Sequence, residues 1–510
     1  MEEKIIITFD FGTQSIRCAL VNNKGQILGI VQEKYEEAYY SSKVGYAEQS
    51  FDTYYKYACI ASKRLKELYP DLFDKAIGVT HTTFRDTFTI TDEKGNPLRD
   101  FILWIDTRKP KCEDKLPALN NTLFNLVGVK DMILYNRQLC RQNWIKENER
   151  ELWDKAAKFA SISAILNAKM TGNLVDSVSS CIGHVPMNYK KRCWMKKNEL
   201  TYPIFNLEDD KLVDLCNVGD VVGYITKECS IETGLKEGLP LIATAADKSC
   251  ETFGAGVIGD DSASLSFGTA VTINYITNKY IEPYTFLPSY PSLDDELYNC
   301  EVQIYRGCWM LTWFIDNYCD KEKEEAKKLG VAVEELLDEH IKDIPVGSDG
   351  LVLIPYWNPP LKHPEYRGTI AGFLPDHHKY HFYRAILEGI GFNLYESFTH
   401  LEKRLKRHTK YFVISGGASA SDDICQMVSD ILGVRIIRPK EKEATTIGSS
   451  MGGFIGLKVF DSYDDAIKNM VSYEGEFIPN EENHKKYVEL YKRNYKQTEN
   501  NLHNIYKKWK

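Results

Sequence analysis

The sequence predicts an α/β protein of two similar halves closing on a shared cleft. Three observations carry that reading. The tripeptide Phe11-Gly12-Thr13 recurs as Phe267-Gly268-Thr269, and each copy leaves a β-type run. Strands and helices alternate in a similar order on both sides of a hinge near residue 255. At 510 residues the chain is also too long for one hydrophobic core.

The first half reads as strand 4–10, a glycine turn, strand 15–21, an Asn22-Asn23-Lys24-Gly25 hairpin turn and strand 26–34. A helix over about 51–69 follows, with Ser50 or Asp52 as its cap. Residues 76–80 form a short strand, 86–95 a hairpin and about 119–172 a mostly helical stretch. Leu239–Ala245 reads as a buried strand, and Asp247–Gly256 opens a small-residue helix. After residue 262 the pattern repeats: strands, helices over about 307–319, 321–342 and 379–406, strand 411–415, and helices 422–432 and 444–457. No Pro/Gly-rich linker divides the halves, which places the expected division at 1–254 and 255–510.

Composition narrows the class. Hydrophobic content of 43% and charged content of 27% suit a soluble globular protein. No apolar run reaches the ~18 residues of a membrane span, and no leader precedes the first strand, so the expectation is a cytoplasmic protein off the membrane. Thirteen cysteines without a Cys-x-x-Cys pair fit reduced thiols better than a metal or disulfide framework. A net charge of −8 argues against a nucleic-acid partner. The basic tail, His484–Lys510, reads as a solvated helix face.

At each Phe-Gly-Thr turn, backbone N–H groups and a threonine hydroxyl can converge on phosphate oxygens. Two such turns suggest a clamp on a polyphosphate. Asp10 ends the first strand and suits a Mg²⁺ bridging to phosphate, with a turn-capping Asx role as the competing reading. Arg17, seven residues on, can reach a transferring phosphoryl group. Asp247 starts a helix after a buried strand, where a carboxylate can take a hydroxyl proton or serve as a plain N-cap. Ser415-Gly416-Gly417 lets a flat ligand approach backbone or makes a structural left-handed turn.

Together these segments resemble the FGGY family of carbohydrate kinases, within the actin, Hsp70 and hexokinase-like superfamily, over roughly residues 4–460. Asp10 to Arg17 matches the family's Asp-x-Gly-Thr-x-Ser-x-Arg opening in full, and Trp104-Ile105-Asp106-Thr107-Arg108 resembles its Trp-x-Asp-x-Arg segment at the sugar site. Gly368–Phe373 with His381–Gly389 follows its C-terminal signature, departing at Phe373. Ser415–Ser419 and Lys442–Gly448 resemble its adenosine loop and the helix behind it. The segment at Arg141–Asn148 is a degraded match, with Arg141 where Lys is usual.

The resemblance implies two ribonuclease-H-like (actin-like ATPase) domains around a central cleft. It implies ATP-dependent phosphorylation of a small sugar or polyol, and a homodimer. Asp247 and Arg17 would be catalytic, and Asp10 would hold Mg²⁺. Gly12, Thr13, Gln14, Gly268, Thr269, Gly416, Gly417 and Ala418 would bind ATP. Arg85, Asp86, Trp104, Asp247 and Lys248 would meet the sugar. Arg85-Asp86 suits vicinal hydroxyls as a pair, with Thr82, Thr83 and Phe84 beside it. Lys248 would neutralise a sugar acid or make a surface salt bridge. A non-catalytic sugar sensor on the same fold is the alternative function. An actin-like nucleotide switch is a third, disfavoured by the small-ligand character of Trp104 and Arg85.

Overall fold

The computed structural model describes residues 2–113, 116–304, 306–359, 363 and 365–509. Its first large sheet contains β1 (Ile5–Phe11), β2 (Ser15–Asn22), β3 (Ile27–Lys34), β4 (Gly78–Thr83), β5 (Val221–Tyr224) and β6 (Pro240–Ile242), in the order β5-β6-β4-β1-β2-β3. The second contains β7 (Ser262–Phe267), β8 (Val271–Thr277), β9 (Tyr298–Ile304), β10 (Tyr411–Ser415), β11 (Arg435–Pro439) and β12 (Tyr473–Phe477), in the order β9-β8-β7-β10-β11-β12. Residues Tyr290–Pro291 extend it beyond β9.

The pairing sense matches strand for strand. β1–β2–β3 and β7–β8–β9 are antiparallel meanders. β4 and β6, like β10 and β11, then add in parallel, and β5 and β12 close their sheets antiparallel. One sheet pattern is thus folded twice, once in each half, as the resemblance implies. Every residue of β1 and of β7 is buried, as a strand with a parallel neighbour and helices on both faces requires.

Five of the helices are α1 (Phe51–Leu68), α2 (Asp247–Gly254), α3 (Lys379–Leu405), α4 (Ala444–Gly456) and α5 (Lys496–Tyr506). The α1 start is set by Ser50, whose hydroxyl accepts from the Thr53 N–H. Its buried residues Phe51, Tyr54, Tyr55, Ala58, Ala61 and Leu65 follow the helical repeat. Helix α4 crosses from the second half onto the first sheet. There Thr8 Oγ1 lies 2.8 Å from Thr80 Oγ1 and 2.7 Å from Ser450 Oγ, a satisfied polar seam inside an apolar contact. Where α2 and α4 cross, a Cβ on Gly448 would sit 1.8 Å from the Cys250 carbonyl oxygen.

Three expectations change. The helix expected over 321–342 breaks at Gly330 (φ 71°) into Asp320–Leu329 and Val333–Asp338, because glycine takes the left-handed C-cap at little cost. The strand expected over 239–245 shortens to β6. The tail is not simply a solvated face: Tyr487, Tyr495 and Tyr506 are buried. The Arg384 Nη2 donates to Tyr487 Oη (2.9 Å) while its Nε donates to Glu388 (2.9 Å). All thirteen cysteines are free thiols, and among the described residues no helix is long and apolar enough to cross a membrane.

Candidate active site

In the β1–β2 hairpin Asp10 stands opposite Arg17, and the turn is closed by Gly12 N–H donating to the Ser15 carbonyl (3.0 Å). The Arg17 guanidinium lies 3.7 Å from Asp10 Oδ2 and 3.0 Å from Glu443 Oε2, just before α4. It therefore bridges two carboxylates from opposite halves of the chain. Burial pushes the Asp10 carboxyl up to about 7, against the pull of Arg17 and with further push from Asp247, Glu443 and Glu251. Asp10 thus sits among carboxylates that Arg17, Lys248 and Arg85 each partly balance. Thr13 Oγ1 accepts from the Trp104 indole (2.9 Å), so the first turn is tied to the segment expected at the sugar site. Gln14 is exposed.

Asp247 is the first residue of α2, and Ala246 occupies the N-cap. A plain N-cap role for Asp247 is thereby removed. Its Oδ1 accepts from Lys248 N–H (2.8 Å) and lies 3.9 Å from Arg85 Nε, with the side chain 29% exposed. Burial raises its pKa, and Lys248 and Arg85 oppose the rise. Arg85 is further held by Glu301 of β9 at 2.7 Å and lies over the Tyr290 ring at 5.3 Å. Arg85 and Asp86 do not act as a pair. Asp86 (φ 52°) turns away, accepting from His184 N–H and Nδ1 (2.9 Å each) with Arg141 Nη2 at 3.5 Å. The Arg141 segment thus supports the site through Asp86. Thr82 and Thr83 are buried, and the Thr82 hydroxyl donates to the Ala245 carbonyl (2.9 Å).

Lys248 is partly buried, and its ammonium is already paired within the protein. Its Nζ donates to Glu251 Oε2 (2.7 Å) and Ser266 Oγ (2.8 Å), while Glu251 Oε1 accepts from Ser415 Oγ (2.6 Å). Ser266 and Ser415 are partners at the ends of β7 and β10. The helix that begins with Asp247 is therefore tied to both loops of the second half. Beyond β7, Gly268 N–H donates to Ala270 O (3.2 Å), and Thr269 is exposed.

A cavity of about 420 Å³ opens between the halves, lined by Asp10, Glu251, Ser415, Gly417, Arg438 and Glu443 among others. Gly416 (φ 90°) packs so closely that a Cβ would lie 2.5 Å from the Phe267 carbonyl oxygen, whereas a Cβ on Gly417 would meet open space. The loop thus offers bare backbone to a ligand on the Gly417 side. Ala418 does not line the cavity; it packs on the core of the second half. Gly12, Thr13, Gly268 and Thr269 lie outside this lining as well.

The sequence model for the N-terminal domain of the FGGY family of carbohydrate kinases matches residues 5–254, and that for its C-terminal domain matches residues 263–457. This chain belongs to the FGGY family of carbohydrate kinases. The FGGY kinase is 26% identical to the xylulose kinase of Bacillus subtilis, over 97% of each chain, and 24% identical to that organism's gluconokinase, over 95% and 94%. The crystal structure of gluconate kinase from Lactobacillus acidophilus superposes with a TM-score of 0.83 at 21% identity, covering 100% of each chain.

Three groups at the kinase's cleft escape sequence reasoning: Glu251, Tyr290 and Glu301. Glu301 does leave a trace, the lone charge in the strand Tyr298–Ile304, where a buried carboxylate needs a cationic partner. The raised pKa of Asp247 has a kinetic consequence. Were Asp247 to act as a general base it would have to be ionised, so kcat/KM is then expected to fall on the acid side at a pH above the ordinary aspartate value of 3.8. A profile flat down to that value would contradict the assignment.

Proposed function

We propose that this FGGY kinase transfers the γ-phosphoryl group of ATP to a hydroxyl of a neutral ketose or alditol, with Asp247 as general base. The charge balance around Asp247 carries this choice. Two cations, Arg85 and Arg141, face three carboxylates, Asp247, Glu301 and Asp86. Lys248 is already matched by Glu251. An acidic sugar would add a negative charge beside the base, whereas hydroxyls can use the carboxylate acceptors and the Arg85 donors. The kinase names among its relatives point to both substrate kinds, and the pocket favours the neutral one.

The residues fit ATP and Mg²⁺. The cavity is roomy, Gly417 leaves space for a flat base, and the acidic cluster at Asp10 needs a divalent cation before a polyphosphate can enter. Asp10 would hold Mg²⁺, which supplies charge neutralisation at the phosphates. Gly12, Thr13, Gly268 and Thr269 would offer donors to phosphate oxygens as charge spreads in transfer. Asp247 accepts the acceptor's proton while Arg85 holds the carboxylate's orientation. Arg17, pinned between Asp10 and Glu443, would join the two halves at the phosphates, and Trp104 would wall the acceptor side. Residues 1–254 would then bind sugar and 255–510 nucleotide.

Lys248 is read here as structural support for α2. Lys248→Met is expected to lower turnover with every acceptor in the same proportion and to cost about 3 kcal/mol of stability, because Glu251 is left buried without its partner. Loss confined to acidic sugars would restore Lys248 as a substrate contact. The function itself is tested by mass analysis of products from ketoses, alditols and aldonates incubated with Mg·ATP. Phosphorylated ketose or alditol is expected; phosphorylation of aldonates alone would overturn the neutral-acceptor reading.

A further inference from the structure

His363, Glu365 and His503 come together apart from every residue lining the cleft cavity. Each offers one ligand atom, and the three atoms lie within 4.8 Å of one another. His363 Nδ1 is 3.5 Å from Glu365 Oε1, and His503 Nδ1 is 3.4 Å from the same oxygen. Both separations are long for a charge-assisted hydrogen bond, which spans about 2.7–2.9 Å. His503 Nδ1 is buried and has no hydrogen-bond partner. A tetrahedral ion with bonds of about 2.0–2.1 Å holds its ligand atoms roughly 3.4 Å apart. The two ring nitrogens therefore stand off one carboxylate oxygen by the edge of such a tetrahedron.

The surroundings hold this arrangement. Glu365 is buried. The Tyr366 ring stacks on His363 (4.6 Å, 9°) and meets His503 edge-on (5.4 Å, 72°). The two imidazoles cross at 77° with their centroids 5.2 Å apart. Two nitrogens and one carboxylate oxygen suit zinc-type ions, whereas Mg²⁺ and Ca²⁺ prefer oxygen alone.

We propose that His363, Glu365 and His503 bind a zinc-type divalent cation, with a fourth position open to water, clipping α5 to the segment that leads into strand Thr369–Ala371. The test titrates the metal-stripped full-length protein with Co²⁺ and then displaces it with Zn²⁺. One equivalent of Co²⁺ with tetrahedral visible bands is expected, without the thiolate charge-transfer band that cysteine ligation would add. Zn²⁺ is expected to raise the thermal midpoint. His503→Ala is expected to weaken binding by about 100-fold or more and to abolish that thermal shift. His363→Gln gives the same reading should His503→Ala not fold. Only weak octahedral spectra, thiolate-type bands, or tetrahedral bands unchanged in both variants would overturn the site.

Discussion

Asp247→Asn is expected to lower kcat by about 10³-fold, within the range a positioned general base contributes, while the KM for ATP changes little. Asparagine keeps the shape of the side chain and can still accept from Lys248 N–H, the contact that fixes Asp247 at the start of α2. It cannot take a proton from the acceptor. Arg85 keeps Glu301 at 2.7 Å, so the pocket should hold its form. Steady-state kinetics against each substrate, beside a thermal unfolding curve, check this. Full kcat in the Asn variant would remove Asp247 from the chemistry.

Gly448→Ala is expected to damage stability and catalysis together. The added methyl would lie 1.8 Å from the Cys250 carbonyl oxygen, and a Cβ built on Gly254 would lie as close to the Ala444 carbonyl oxygen. Helices α2 and α4 thus touch backbone to backbone, with no flexible side chain to yield. Forcing them apart should cost about 3 kcal/mol. It should also lower kcat, because α2 begins with Asp247 and α4 follows Glu443, the partner of Arg17. Gly417→Ala is the control: its Cβ meets no atom, so stability should hold while the KM for ATP rises. A Gly448→Ala protein with unchanged midpoint and kcat would contradict the helix crossing.

Much of this architecture was legible because it is local. Asp10, Gly12, Thr13 and Arg17 sit within one hairpin whose β-type runs and glycine turn are plain in the residues themselves, and the Ser415-Gly416-Gly417 loop follows an apolar strand. What escaped is mostly long-range. Glu301 meets Arg85 across 216 positions, and no window of sequence contains that pair. Adjacency in sequence is not adjacency in contact. Lys248 follows Asp247, but neighbours on a helix diverge by about 100°, and the Lys248 ammonium meets Glu251. Arg85 and Asp86 diverge for a related reason, with Asp86 in a left-handed turn after β4. In the tail, lysines and arginines mask Tyr487 and Tyr495, whose rings complete the second core.

The most direct measurement is ADP release from Mg·ATP with no acceptor, with a ketose or alditol panel, and with aldonates. A cleft that transfers phosphoryl only when a neutral acceptor's hydroxyl stands at Asp247 predicts little ADP alone and strong stimulation by one ketose or alditol. ADP release at the same rate with and without every acceptor would contradict the account.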